Sequence, residues 1–467
     1  MFLLTNDNAS FAGGVHPPEG KHLTEDRVRG PQREPWRWGT PIEPGPSAKE
    51  LAILLSQHIG APAQPIVKRA EAVQAGQKIG ECQAFIGAPV HAPVAGRVKD
   101  IALQPHPVLG RSLAVIIEPQ SDIPPTPPSF VRPQGFDPAT YTPEQICQAV
   151  REAGIVGMGG AGFPTSVKIQ PDAKIPKETL IVNGCECEPY ITCDYRVMLE
   201  WTDQVITGVQ LAQRACGASK VFIAIEDNKP QAIERMNASL TSLGLAAGIK
   251  VVTVRTKYPQ GGERQLIRAV LQKIVPTGGI PPAIGVVVSN VATVAALADA
   301  VINGRPLTHR VVTVAGEGIG RPGNYYVPIG TPVQALIDHC GGLGKDSARV
   351  VLGGPMMGLA VADLSTPITK TGGAVTILTT RQIDKTPRPT ACIRCGRCLR
   401  ACPEHLSPTK IAHAVKSNRM DLAVKYHVTA CIECGCCTYV CPANVDLTGY
   451  IKTGKIYLAR QKKKMPA

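Results

Sequence analysis

The pattern of apolar and polar positions changes several times along the chain. Residues 1–45 are rich in Gly, Pro and charged side chains, a composition typical of an extended arm. From 46 to 122, short alternating apolar runs are divided by Gly and Pro, which predicts a small β domain. Residues 123–137 are rich in proline and predict a linker.

A different rhythm covers residues 138–304. Thr142, Pro143 and Gln145 supply an N-cap, a proline at the first helical position and an N3 glutamine, so they predict the start of a helix. Apolar runs such as 180–182 and 221–225 then alternate with helical patterns, among them one helix over 195–215. Such alternation predicts a doubly wound α/β domain with a parallel sheet. Ligands of such sheets bind at the carboxyl ends of the strands.

The last third of the chain contains two further patterns. Residues 305–382 return to short apolar runs with Gly-Pro turns, which predicts a small β-grasp-like module. Residues 383–452 contain a cysteine repeat with helical segments between its copies, and residues 453–467 form a basic tail. The fold class is therefore multidomain, with β and α/β units followed by a helical cysteine domain.

Charge and hydropathy limit the possible partners. The net charge is +14, but Lys and Arg are scattered and no nucleic-acid-binding motif accompanies them, so we expect no nucleic acid partner. The basic tail is either solvated or in contact with anionic lipid or an acidic protein. No segment qualifies as a membrane span and no signal peptide precedes the arm, so we expect a cytoplasmic chain.

Half of the 16 cysteines fall in two runs that share the spacing C-x2-C-x2-C-x3-C-P. This spacing is typical of ferredoxins with two [4Fe–4S] clusters, in which the fourth cysteine of each run binds the other cluster. The prediction is thus two crossed ligand sets. The first is Cys392, Cys395, Cys398 and Cys441, and the second is Cys431, Cys434, Cys437 and Cys402.

Zinc is the alternative for these thiolates, but zinc sites usually join two C-x2-C knuckles across a longer loop. The register makes Cys437 the ligand and leaves its neighbour Cys436 outside the set. A smaller group, Cys185, Cys187 and Cys193, lacks an apparent fourth ligand.

A glycine-rich loop over residues 154–168 lies near the start of the doubly wound region. Glycines let the backbone approach a phosphate or a flavin ring, although such loops can also be simple tight turns. After the next strand, the segment Asn183-Gly-Cys-Glu-Cys-Glu-Pro189 places two carboxylates where this fold binds its ligands.

The two segments together resemble the FMN- and NADH-binding subunit of respiratory complex I, and Gly262-Glu263 and Asn290–Thr293 resemble later flavin-site segments of that family. The segment 87–98 is similar to the hairpin of lipoyl-type barrel-sandwich domains, but it has no lysine at the turn, so we expect a structural role. The β-grasp-like module resembles the SLBB type. The order of all four modules resembles that of the RnfC family of the Rnf ion-translocating electron transport complex, and so does the segment Phe11-Ala-Gly-Gly-Val-His-Pro-Pro-Glu-Gly-Lys21.

The resemblance implies specific roles for residues of this chain. It implies that FMN contacts come from Gly157, Gly159, Gly160, Gly162, Lys168, Asn183, Glu263, Asn290 and Thr293. Phe163 would stack on nicotinamide, and Glu186 and Glu188 would line the nucleotide pocket; a core aromatic and a solvated loop are the alternatives. Met158 and Cys185 depart from the complex I pattern, which has a basic residue and an aspartate there.

The implied function is that of an NADH-dependent flavin and iron–sulfur oxidoreductase subunit. FMN and two [4Fe–4S] clusters would be its cofactors, NADH its substrate and ferredoxin an indirect partner. Integral membrane and iron–sulfur subunits would hold it peripherally on the cytoplasmic side of the bacterial inner membrane, where the complex couples electron flow to ion movement. The alternatives are a cobalamin reductase of a bacterial microcompartment and a pure iron–sulfur relay with a vestigial flavin pocket.

Overall fold

The computed structural model describes residues 10–16, 40–383 and 388–464. Most of the expected N-terminal arm, part of its Phe11–Lys21 segment and the end of the basic tail lie outside these residues. Four units follow one another along the chain. Within the described ranges, no helix is both long enough and apolar enough to cross a membrane.

The first unit consists of two small antiparallel sheets that pack face to face around one apolar core. Its four-stranded sheet has the order β2–β8–β7–β4 and the other the order β3–β5–β6. Leu51 and Val115 of the first sheet meet Ile79 and Val90 of the second. The strands up to this point are β1 (Ile42–Pro44), β2 (Leu51–Leu54), β3 (Gln64–Pro65), β4 (Ala72–Val73), β5 (Lys78–Glu81), β6 (Val90–His91), β7 (Gly96–His106) and β8 (Gly110–Pro119).

The second unit is a parallel sheet of order β11–β10–β9–β12 with helices against its faces. Thr142 caps its first helix in a capping box with Gln145, as the sequence predicts. Its elements are α1 (Pro143–Glu152), α2 (Thr165–Ile169), β9 (Thr179–Gly184), α3 (Cys193–Glu200), α4 (Thr202–Cys216), β10 (Lys220–Glu226), α5 (Pro230–Ser242), β11 (Ile249–Val254), α6 (Glu263–Leu271), β12 (Val286–Asn290) and α7 (Val291–Asn303).

The prediction of a single helix over 195–215 is wrong, because the region is divided into α3 and α4 at Trp201. The hydroxyl of Thr202 donates to the carbonyl oxygens of Met198 and Leu199. A threonine that bonds back to the preceding turn competes with the helical backbone ladder and bends the chain. The helical region therefore consists of two helices that meet at Trp201.

The third unit is a mixed sheet of order β1–β14–β13–β17–β15–β16 with α8 packed on it. Strand β1 pairs in parallel with β14, so the expected arm ends inside this sheet. The elements are β13 (His309–Ala315), β14 (Gly323–Pro328), α8 (Val333–His339), β15 (Ser347–Leu352), β16 (Leu359–Val361), β17 (Ala374–Thr379) and α9 (Thr380–Ile383).

The fourth unit is helical and repeats itself with an offset of 39 positions, from Cys392 to Cys431. Left-handed backbone recurs at equivalent places: Arg394 and Glu433 have φ of 56° and 59°. The helices are α10 (Arg397–Ala401), α11 (Pro408–Lys416), α12 (Met420–Lys425), α13 (Cys436–Tyr439) and α14 (Leu447–Lys464).

A buried lysine joins the first three units. The Nζ atom of Lys370 donates hydrogen bonds of 2.7 Å to the carbonyl oxygen of Pro89 and 2.6 Å to that of Gly154. Its backbone N–H donates to Gln57. Burial lowers the pKa of Lys370 to about 7. One side chain thus fixes the third unit against the barrel-sandwich and α/β units.

Candidate functional site

The carboxyl edge of the parallel sheet brings the predicted amide side chains together. Asn183 is the second-last residue of β9 and Asn290 is the last residue of β12, and the two are direct neighbours across the sheet. The Oδ1 atom of Asn290 accepts from the N–H groups of Ala292 and Thr293, so it caps α7. Both predicted residues therefore lie at the edge where a doubly wound fold binds its ligand.

The glycine-rich loop curves over this edge. The N–H of Gly157 donates to the carbonyl oxygen of Phe163 at 2.9 Å, and the N–H of Met158 donates to the hydroxyl of Thr293 at 2.9 Å. A Cβ atom on Gly159 would lie 2.8 Å from the amide of Asn290, whereas one on Gly160 would meet nothing within 4 Å. The loop thus turns a bare, exposed strip of backbone towards open space.

Three more predicted residues lie beside the loop and the sheet edge. Lys168 forms a 2.7 Å ion pair with Glu263 at the start of α6. The amide of Asn183 donates to the carbonyl oxygen of Gly261 at 2.8 Å. Phe163 is half-buried at the end of the loop. The loop, Asn183, Asn290, Thr293, Lys168 and Glu263 are therefore one continuous group.

Glu186 lies at the N-terminus of α3. Its carboxylate accepts from the N–H groups of Asp194 at 2.8 Å and Tyr195 at 3.2 Å. Burial, with the adjacent Asp194 carboxylate, raises the pKa of Glu186 to about 7. Asp194 in turn accepts a hydrogen bond from the side-chain amide of Asn290 at 2.5 Å. Glu186 is therefore linked to the sheet edge through Asp194.

Glu188 occupies a different environment from the one expected. Its carboxylate accepts from the backbone N–H groups of Met356 at 3.1 Å and Met357 at 2.7 Å, in a turn of the third unit. Burial raises the pKa of this carboxyl to about 7. Glu188 therefore fixes the third unit to the α/β unit, and its oxygens are already engaged by protein N–H groups.

Two buried cations lie near this edge, and neither belongs to a recognisable sequence motif. Arg310 comes from β13 of the third unit, donates to the carbonyl oxygen of Met158 at 3.3 Å, and lines a cavity with Asp194. Lys229 forms a 3.1 Å ion pair with the fully buried Glu226. The sequence signal for each cation is a charged residue within an apolar strand. This residue is Arg310 itself in β13, and for Lys229 it is its partner Glu226 at the end of β10.

The two departures from the complex I pattern have structural explanations. Met158 is buried, and Arg310 supplies a guanidinium next to its carbonyl oxygen. The thiol of Cys185 is buried beneath the sheet edge and donates to the carbonyl oxygen of Ala224 at 3.6 Å. The sulfur of Cys187 instead accepts a hydrogen bond from the N–H of Gly261, and Cys193 lies beside Glu186 and Asp194. The three cysteine side chains therefore have different neighbours.

The residues at this edge fit a flavin nucleotide. The strip at Gly160 is free of side chains, so a phosphate or ring can approach the backbone. Within the described ranges, the Oε1 atom of Glu226, at the end of β10, is buried and lacks a hydrogen-bond partner. Buried polar atoms are normally satisfied, so this atom is suited to a polar ligand.

The second cysteine run encloses a cavity in the fourth unit. The cavity is lined by Cys431, Cys434 and Cys437 together with Cys402 from the first run, and by Cys436. Backbone N–H groups of Glu433 and Leu406 donate to the sulfurs of Cys431 and Cys402 at 3.3 and 3.4 Å. Four of these five cysteines are the predicted ligand set, and their thiols with the N–H···S bonds suit a cubane cluster.

The first run has the same local geometry but a different exposure. Thr409 lies 3.5 Å from the sulfur of Cys398, as Thr448 does from Cys437, and Val445 donates to Cys441 as Leu406 does to Cys402. Cys395, however, is exposed and Cys392 is half-buried, whereas Cys434 is buried and Cys431 half-buried. The two cysteine sets thus share these threonine and backbone contacts but differ in burial.

The second cysteine run and the end of the first run lie directly against the α/β unit and the N-terminal segment. The phenol of Tyr258 donates to the carbonyl oxygen of Cys434 at 2.7 Å, and Arg264 forms a 3.1 Å ion pair with Glu404. The segment 10–16 fills the seam. Gly14 donates to the carbonyl oxygen of Ala401, and Val15 exchanges two backbone hydrogen bonds with Tyr258.

Comparison with known proteins agrees with this order of units. The family described as "RnfC Barrel sandwich hybrid domain" matches residues 9–122, and "Nuo51 FMN-binding domain" matches 150–299. The "SLBB domain" matches 311–360 and the "4Fe-4S dicluster domain" matches 391–445. These matches confirm the predicted fold class.

Full-length relatives extend the comparison to most of the chain. The C subunit of a proton-translocating ferredoxin:NAD⁺ oxidoreductase complex of Clostridium ljungdahlii is 40% identical over 405 residues, which cover 86% of this chain and 84% of that protein. The C subunit of the Na⁺-translocating ferredoxin:NAD⁺ oxidoreductase complex of Acetobacterium woodii is 39% identical over 416 residues, 89% of each chain.

A more distant likeness is found among solved structures. A crystal structure of an NAD⁺-reducing [NiFe]-hydrogenase in the air-oxidized state aligns with a TM-score of 0.47 at 22% identity, over 62% of this chain and 54% of that one. The identity and coverage of the two full-length relatives, with the four matching domains in order, decide the assignment. The chain belongs to the RnfC family, the C subunits of Rnf-type ion-translocating oxidoreductase complexes.

Proposed function

We propose that this chain is the NAD(H)-dependent flavin and iron–sulfur oxidoreductase subunit of an Rnf-type complex, which exchanges electrons between NAD(H) and ferredoxin through its partner subunits. The observation that carries the proposal is the hydrogen bond from Tyr258 to Cys434. It puts the Cys402, Cys431, Cys434 and Cys437 cavity directly against the unit that has the flavin-type edge.

Bound FMN would accept a hydride from the nicotinamide and release two electrons singly, for which the two clusters are one-electron carriers. The chain supplies binding and orientation. The bare backbone at Gly159 and Gly160, with Lys168, is suited to the phosphate, and Asn183, Asn290 and Thr293 hold the shape of the pocket. We assign Phe163 the role of flanking a ring of the nucleotide. Glu186 positions α3, and we assign Glu188 a structural role in place of a nucleotide contact.

The unequal burial of the two cysteine sets supports an order for the relay. The set with Cys402 lies against the α/β unit, and the set with Cys392 and Cys395 lies at the surface. We therefore assign the Cys402 set to the flavin-proximal cluster. The other set would exchange electrons with a partner outside the chain.

The proposed location follows from the complex. The relatives are named as subunits of ion-translocating complexes, with the proton given for Clostridium ljungdahlii and Na⁺ for Acetobacterium woodii. We propose that this chain likewise sits peripherally on the cytoplasmic face of the bacterial inner membrane, bound by integral membrane and iron–sulfur subunits.

Anaerobic purification of the full chain tests the function. We expect bound FMN and two [4Fe–4S] clusters, and we expect NADH to bleach the absorption of both. Clusters without flavin would instead support a pure relay, and reduction of a corrinoid by NADH would support a cobalamin reductase.

A further inference from the structure

The internal repeat of the fourth unit allows a direct comparison of its two surfaces. Counterparts 39 positions apart share backbone geometry, including the left-handed residues Gly396 and Gly435. The second run is covered: a Cβ atom on Gly435 would lie 2.9 Å from the carbonyl oxygen of Met356 in the third unit. A Cβ atom on the equivalent glycine of the first run, Gly396, would meet only Arg400 of the same run. The surface around this glycine is therefore covered in the second run and uncovered in the first.

The uncovered surface of the first run, here called the free rim, consists of Ile393, Arg394, Arg397, Leu399 and Arg400. It differs in charge from the equivalent surface of the second run. Arg394, Arg397 and Arg400 are all exposed, and their counterparts are Glu433, Cys436 and Tyr439. None of the three arginines forms an ion pair with any residue that the structure describes. The sequence has no acidic residue between positions 388 and 403, and Arg388 adds another exposed cation. The basic character therefore belongs to the uncovered copy alone.

Apolar side chains lie between these cations. Ile393 is 65% exposed and Leu399 is 45% exposed, although Ile432, the counterpart of Ile393, is packed against the apolar cluster at the seam. The exposed thiol of Cys395 lies among them. An apolar centre with charged residues around it is typical of a transient protein interface.

We propose that this rim, defined by Arg394, Arg397, Arg400, Ile393 and Leu399, is the docking surface for an acidic iron–sulfur electron carrier protein. The inference rests on the proposed function, because the surface surrounds the cysteine set farther from the α/β unit. Cations steer an acidic partner, and the apolar side chains permit the close approach of two clusters. The overall exchange is two reduced carriers, NAD⁺ and one proton giving two oxidised carriers and NADH.

The test uses the full chain, loaded with FMN and clusters, and a plant-type [2Fe–2S] ferredoxin as the acidic probe. Binding is measured by calorimetry, and NAD⁺ reduction by the reduced ferredoxin is measured in parallel. We expect R394E/R397E/R400E to weaken binding and slow the reaction about tenfold or more at low salt. The control K68E/R69E/R97E makes the same charge change on the exposed face of the barrel-sandwich unit, and we expect it to behave as the wild type.

Several outcomes would overturn the docking surface. One is equal loss of binding in both charge-reversed variants; another is unchanged binding in R394E/R397E/R400E. Binding of the same arginines to phosphatidylglycerol vesicles, with no affinity for ferredoxin, would assign the rim to lipid. Iron and sulfide content, with the milder R394Q/R397Q/R400Q, checks that the clusters remain assembled. Reduction of FMN and clusters by NADH, measured without ferredoxin, tests the proposed function separately.

Discussion

The phenolic oxygen of Tyr258 lies 2.7 Å from the backbone carbonyl oxygen of Cys434, to which it donates a hydrogen bond. Tyr258 follows the last residues of β11 in the α/β unit and is fully buried. Its backbone also exchanges hydrogen bonds with Val15. One residue therefore holds the α/β unit, the N-terminal segment and the second cysteine run together.

Tyr258→Phe should weaken this seam. The change leaves the buried carbonyl oxygen of Cys434 without its donor, which costs about 1–3 kcal/mol of unfolding free energy. We expect a lower urea midpoint for loss of the cluster absorption, with FMN content unchanged. Tyr439→Phe is the control, since Tyr439 is 42% exposed. Equal midpoints for the two variants would argue against a structural role for the Tyr258 phenol.

The crossed ligand sets predict which cysteine variants resemble one another. Cys402→Ser should give the same residual cluster spectrum by electron paramagnetic resonance as Cys431→Ser, because both thiols line one cavity. Cys441→Ser should match Cys392→Ser. If Cys402→Ser matched Cys392→Ser instead, each run would bind its own cluster and the crossing would be wrong.

The glycine loop predicts two different effects of a single methyl group. Gly159→Ala places Cβ against Asn290, which caps α7, so we expect both thermal stability and FMN affinity to fall. Gly160→Ala meets no protein atom within 4 Å, so the apoprotein should keep its melting temperature while FMN affinity falls. Unchanged FMN affinity in Gly160→Ala would show that the cofactor does not use this space.

Lys370 predicts a pH dependence of stability. Its pKa is about 7 in the folded chain, against an ordinary value of 10.5 for a lysine side chain. Between these values the unfolded state binds a proton that the folded state lacks. The contribution of Lys370 to stability therefore rises with pH, by up to about 1.4 kcal/mol per pH unit, and is lost as the pH falls towards 7.

Lys370→Met removes this slope and leaves two carbonyl oxygens unpaired, at about 1–3 kcal/mol each. Urea unfolding of the two proteins between about pH 7.5 and 9.5 should show a difference that grows with pH. Burial holds the pKa values of His58 and His91 at about 4 and 3, so they do not titrate in this window. Parallel stability curves would mean that Lys370 is protonated throughout.

Local patterns predicted the architecture well. The capping box at Thr142, the strand and helix alternation and the cysteine spacing each depend on residues close in sequence, so they could be recognised directly. The division at Trp201 was not predicted, because it depends on the Thr202 hydroxyl donating to carbonyl oxygens of the preceding helical turn. The pairing of β1 with β14 was not predicted either, since residues this far apart meet only through the tertiary fold.

Site residues that belong to a sequence motif could be predicted. Residues that reach the site through contacts between units could not. The glycine loop, Asn183 and Asn290 come together as expected for residues at one sheet edge. Glu188 was expected in the nucleotide pocket, but it contacts a turn of the third unit that no local pattern identifies. Arg310 reaches the site from another unit and Tyr258 contacts the second cysteine run across a seam, so no local motif identifies either contact.

The order of the two cysteine sets can be tested by removing one cluster at a time. In Cys395→Ser, NADH should still reduce the remaining cluster at the wild-type rate, because the Cys402 set lies against the α/β unit. In Cys434→Ser, NADH should bleach FMN normally, while the remaining cluster is reduced at least about tenfold more slowly. Rapid-freeze electron paramagnetic resonance measures both rates. Rapid reduction of the remaining cluster in Cys434→Ser would contradict the account.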